Sequence, residues 1–111
     1  MALLPHQVSA EIDIAKLRDY CLSASHPRGR HKARAFYSAL GVTTQDAEWL
    51  RREILAALPQ AEAERQQADQ YGARWLVDIP LARQGRRAVV RTVWMIGLGS
   101  IAPRLVTCWI K

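Results

Sequence analysis

The hydrophobic pattern changes period at Pro59, and no other feature of the chain constrains the fold as much. Before it, apolar residues recur at helical spacing; after it, they alternate at strand spacing. Ile14, Leu17, Cys21 and Leu22 mark a first helix over about 14–24, with Asp13 as N-cap and Ile12 and Leu17 placed as a hydrophobic staple. Ala33, Phe36, Tyr37 and Leu40 mark a second over about 30–40, with Gly41 at C′. Thr43-Thr44-Gln45-Asp46 opens a third over about 44–58, and Ala47, Leu50, Ile54 and Leu58 are its inward stripe. Pro59 stops it.

Beyond Pro59, residues 60–68 read as a weak edge strand and Asp69-Gln70-Tyr71-Gly72 as a turn. Residues 73–81 alternate, with Trp75, Val77 and Ile79 opposite Arg74 and Asp78. A hairpin turn at 82–85, a β-branched strand over 86–96, a glycine turn at 97–100 and a last strand over about 104–110 complete the chain. The expected fold is α+β: three N-terminal helices packed on one face of a three- to four-stranded antiparallel sheet. It forms one domain over 1–111, with a helical part at 12–58 and a sheet part at 60–111. In the last strand, Val106, Cys108 and Ile110 are the drier set and are expected to meet the helices. The strand before it leaves the choice of face open, with Val89, Arg91, Val93 and Met95 against Ala88, Val90, Thr92, Trp94 and Ile96.

The net charge is +6, carried by thirteen arginines and three lysines against ten acids. Such a balance points to nucleic acid, an acidic membrane surface or an acidic protein. The densest basic segment is His26-Pro27-Arg28-Gly29-Arg30-His31-Lys32-Ala33-Arg34, at the start of the second helix. The macrodipole disfavours cations there by about 0.3–1 kcal/mol each, so the crowding calls for an anion. Backbone amides after Gly29, with Arg28, Arg30, His31, Lys32 and Arg34, would suit a phosphate; a solvated basic loop is the plain alternative. Arg91 is a second anomaly, a charge inside a Val-rich strand that needs a partner or a ligand. Thr92, Trp94, Thr107 and Trp109 would together suit base stacking, although Trp and Thr are also ordinary strand residues.

No phosphate-binding glycine loop, dinucleotide fingerprint, zinc motif or nucleophile elbow is present. The few carboxylates form no cluster suited to Mg²⁺, so neither a metal nor a cofactor is expected. Cys21 and Cys108 have no metal-ligand spacing and read as buried free thiols. The N-terminus lacks a signal-peptide pattern and no run is long enough to span a bilayer, so the expectation is a cytoplasmic protein with no membrane partner. Of the three histidines, His26 is the best placed for acid/base work, although most such histidines simply face solvent.

A spread of residues carries a resemblance. Ile12-Asp13, Lys16-Leu17, His26-Pro27, Gly29, Lys32-Ala33, Phe36 and Leu40-Gly41 are followed by Asp69, Tyr71-Gly72, Val77-Asp78 and Pro80. Arg91-Thr92, Trp94, Pro103, Leu105 and Thr107 complete it. The chain resembles an uncharacterised bacterial family, a domain of unknown function found as small stand-alone proteins and at the C-termini of polymorphic toxins. Its layout also resembles the barnase, colicin and RelE class of metal-independent ribonucleases, a likeness of fold that does not establish activity. These resemblances imply a small basic toxin domain that cleaves RNA, paired with an acidic immunity or antitoxin protein. On that implication His26 supplies acid/base chemistry, Lys32 and Arg91 hold the phosphate, Thr107 donates a hydrogen bond and Trp94 stacks a base. The alternatives are a non-catalytic nucleic-acid-binding module and a basic protein-interaction domain.

Overall fold

The computed structural model describes residues 2–111. It is a mixed α+β structure, with a four-stranded antiparallel sheet in the C-terminal half. The first helix is short: one α-turn, α1 (Ile14–Lys16), runs on as a π-turn over Leu17–Cys21. The Asp13 carboxylate accepts from the Ala15 amide and starts it, as expected of an N-cap. The π-turn is closed by the Leu22 amide donating to the Leu17 carbonyl. This wider turn puts Leu17, Cys21 and Leu22 into the core together.

Helix α2 (Arg30–Leu40) buries Ala33, Phe36 and Leu40, while Tyr37 stays exposed at the stripe's margin. Gly41 ends it at φ 67°, the left-handed conformation that a glycine takes without strain. Thr43 and Asp46 form a reciprocal capping box ahead of α3 (Ala47–Ala57), which buries Ala47, Leu50 and Ile54. Arg83 ties the helices to the sheet. Its guanidinium donates to the Gly41 carbonyl and to Asp46, at 2.8 and 2.9 Å, and lies over the Trp49 ring.

The strands β1 (Ala63–Arg65), β2 (Gly72–Arg83), β3 (Arg86–Gly97) and β4 (Arg104–Ile110) follow one another across the sheet in chain order. β2 and β3 pair along their whole length around a two-residue loop, Gln84-Gly85. Val77, Ile79 and Leu81 of β2, with Val90, Thr92 and Trp94 of β3, enter the same core cluster as the helices' buried residues or lie buried beside it. That settles the face left open by the sequence.

The last strand departs from simple alternation. Val93 pairs with Thr107 but Trp94 pairs with Leu105, so Val106 is an extra residue in a bulge. The bulge reverses the phase: Leu105 and Cys108 are both buried, and Val106, expected inside, is half-buried. The four-residue surface expected of Thr92, Trp94, Thr107 and Trp109 does not form: the first pair is buried, while Thr107 and Trp109 lie opposite Val93 and Arg91 and are half-buried. The start of β4 is covered by Glu11, whose amide donates to Pro103 and whose carbonyl accepts from Leu105. Among the described residues no helix is long and apolar enough to cross a membrane.

Candidate functional site

The most unusual cation is Lys32. It stands one residue before the buried Ala33, so its side chain follows the edge of the core and reaches β4. Its ammonium donates to the Thr107 hydroxyl at 2.9 Å and to the Tyr20 hydroxyl at 3.3 Å. It lies 4.8 Å from the Tyr20 ring centroid and 5.5 Å from that of Trp109. Each such cation–π contact contributes about 0.5–1 kcal/mol. Among the described residues no carboxylate pairs with it. An ammonium has three donors, and two are used. What remains is a half-buried positive charge with a free N–H, framed by two hydroxyls and two aromatic rings.

Beside this cluster opens a cavity of about 430 Å³, lined by Asp13, Lys16, Asp19, Tyr20, Val106 and Thr107. Asp13 is engaged as the N-cap, and Asp19 pairs with Arg18, whose hydrogen bonds hold its carboxyl below the usual carboxylate range. Behind Thr107 lies Cys21, its sulfur 3.7 Å from the Thr107 hydroxyl. The Cys21 thiol is lowered by a hydrogen bond with Cys108, and that same contact, with burial, pushes the Cys108 thiol well up. Among the described residues no three His, Cys, Asp or Glu side chains gather as metal ligands.

His26 reaches this cluster by a different route. Its ring lies 4.7 Å from that of Tyr20. Its Nδ1 accepts from the amides of both Arg28 and Gly29, each at 3.0 Å. Amides only donate, so Nδ1 is the bare nitrogen and the neutral ring carries its proton on Nε2. The lone pair that a general base would use is therefore committed to capping the turn. These are the amides just ahead of those on which the sequence places a phosphate, and the first of the latter, that of Arg30, donates to the His26 carbonyl. Gly29 is buried, and a Cβ there would fall on the Tyr20 carbonyl oxygen. Its role in this turn is close approach to the π-turn rather than cradling an anion.

The profile of a domain family of unknown function, DUF6883, matches residues 3–111. The chain belongs to the DUF6883 family. No curated protein and no solved structure matches it.

In this DUF6883 domain the site residues singled out from the sequence divide into groups. Lys32 and Thr107 are brought into direct contact, and His26 is their neighbour through Tyr20. Arg91 lies across the strands from Trp109, so Trp109 neighbours both cations. Yet the partner that Arg91 requires is supplied from within: its guanidinium makes a two-pronged pair with Asp78 at 2.9 and 3.0 Å, and Lys111 joins that carboxylate at 2.9 Å. The Arg91 hydrogen bonds, helped by Lys111, hold Asp78 down to about 2. Trp94 is not a stacking platform. It is fully buried, its indole N–H donating to Thr92, whose hydroxyl donates in turn to the Val77 carbonyl. Arg28, Arg30, His31 and Arg34 are exposed along the start of α2, with Arg30 and Arg34 on the flank opposite Lys32. Tyr20 was missed in the sequence. Its only signal is its position beside Cys21, at the margin of the first apolar stripe.

Proposed function

We propose that this DUF6883 domain binds RNA through its phosphodiester backbone at the Lys32 cluster. The observation that supports this reading is the half-buried Lys32 ammonium without a carboxylate partner, held by Thr107 and Tyr20 with one N–H free. Burying a charge without a counter-ion is costly, and a departure of that kind from local consistency belongs to a binding site. A phosphate oxygen supplies the missing anion, and Trp109 beside it offers an aromatic face to a base.

A second reading is metal-independent cleavage, as in a small ribonuclease-type toxin with an acidic immunity protein as its partner. It is favoured by the Tyr20 hydroxyl, which accepts from Lys32 and so has its own proton free to donate. Attack by a ribose 2′-OH needs a proton acceptor as well. With His26 Nδ1 engaged, the carboxylate lining the adjoining cavity besides the N-cap Asp13 is Asp19. On this reading Lys32 stabilises the charge developing on phosphorus and Tyr20 protonates the leaving oxygen.

One experiment separates the two. Purified protein is incubated with labelled single-stranded RNA in a chelator, and the products are run on native and denaturing gels. A salt-dependent shift with intact RNA is the outcome expected for binding. Fragments ending in a cyclic phosphate, lost on Asp19→Asn and Tyr20→Phe, establish cleavage. Neither a shift nor fragments overturns both readings.

A further inference from the structure

On the other flank of α2 from Lys32 lies a groove of about 520 Å³. Arg30, Arg34 and Tyr37 form one wall, at i, i+4 and i+7 of the helix. The hydroxyl residues Ser23, Ser25 and Thr44 contribute to the rest. Among the described residues lining it, none is acidic, and neither arginine has a carboxylate partner. Arg28, Arg52, Arg65, Arg86, Arg87 and Arg104 also lack one among the described residues; what sets Arg30 and Arg34 apart is that both line this one groove beside Tyr37. Two like charges one turn apart repel, and Arg30 stands in the first turn, where the macrodipole opposes it. Tyr37, 63 % exposed, presents its ring at the same wall.

We infer that this groove holds a further nucleotide of the bound RNA strand, with its phosphate between Arg30 and Arg34 and its base stacked on Tyr37. Guanidinium forks match phosphate oxygens in pairs, which suits two arginines on one wall. The groove hydroxyls donate to the remaining phosphate or ribose oxygens. The strand then wraps the start of α2, passing from the Lys32 cluster on one flank to the groove on the other. This rests on the RNA reading of the Lys32 cluster and extends it to a second subsite.

The test is fluorescence anisotropy with a labelled oligouridylate of about twelve nucleotides, within the range of single-strand site sizes, over a series of salt concentrations. Arg30 and Arg34 are exposed, so Arg30→Gln/Arg34→Gln is expected to keep its melting temperature. It weakens binding about tenfold or more near ~0.1 M salt, and flattens the log–log salt slope by about 0.7, the share of one phosphate on a single strand. Tyr37→Ala weakens binding about tenfold with the slope unchanged, and Tyr37→Phe retains wild-type affinity. If wild-type protein binds and Lys32→Gln impairs it, but Arg30→Gln/Arg34→Gln matches wild type in affinity and slope, the groove is overturned and the RNA reading stands. If wild-type protein shows no salt-dependent binding, both fall.

Discussion

His26 gives its Nδ1 lone pair to two backbone amides, so its first contribution is to the turn that launches α2. His26→Ala is expected to destabilise the fold by about 1–2 kcal/mol, the range of a lost helix cap, measured by denaturant unfolding. His26→Asn, which keeps an acceptor, should recover part of that. Asp78 titrates in a region that can be predicted with its sign. Its folded-state value of about 2 lies below the ordinary carboxylate value, so the ionised form is favoured by folding. Its contribution is fully present above about pH 4 and is lost as pH falls from there to about 2. Thermal melts across that interval should fall more steeply for wild type than for Asp78→Asn. Arg91→Ala should lower stability only slightly, as for a partly exposed pair, measured by the same melts. The need of Arg91 for a partner was legible in its Val-rich strand. The identity of that partner was not, because Asp78 is set opposite by strand register rather than by sequence proximity.

The elements were legible where local chemistry defines them. Helix α2 has both an unbroken apolar stripe and a glycine in the left-handed conformation at its end, and its limits match the periodicity. The π-turn and the β4 bulge were not legible. Each depends on which of several residues the opposing surface accepts: Leu17, Cys21 and Leu22 all enter the core, and Val106 is left unpaired between Thr107 and Leu105. That one extra residue decides that Leu105 rather than Val106 enters the core, while Trp94 is buried by the alternation of β3 with Val90 and Thr92. Arg83 is the element-scale test of how helices and sheet are joined. It serves the Gly41 carbonyl just past the end of α2 and the capping box of α3 at once, with its side chain 19 % exposed. Arg83→Ala should cost about 1.5–3 kcal/mol, read as a lowered denaturation midpoint, while Arg87→Ala, exposed and without an ion pair among the described residues, should change little.

At the scale of the whole molecule, a charge of +6 attracts any polyanion, and the basic residues are not equivalent within it. Several arginines are neutralised by neighbouring carboxylates, while Lys32, Arg30 and Arg34 have no such partner among the described residues. The basic start of α2 was legible as the centre of the charge. The place of Lys32 beside the apolar stripe, with Arg34 aimed elsewhere, was legible from helical spacing; what each flank faces was not, because that follows from which side of the helix the sheet covers. The most direct test of the central claim, that Lys32 holds a phosphodiester, is the affinity of Lys32→Gln for single-stranded RNA over a salt series. Glutamine keeps N–H donors on a side chain one bond shorter, so the substitution removes the charge while retaining a polar group beside Thr107 and Tyr20. The account predicts binding weakened about tenfold near ~0.1 M salt and a log–log slope flatter by about 0.7, with the melting temperature close to wild type. Equal affinity and an equal slope in a folded Lys32→Gln protein would contradict it.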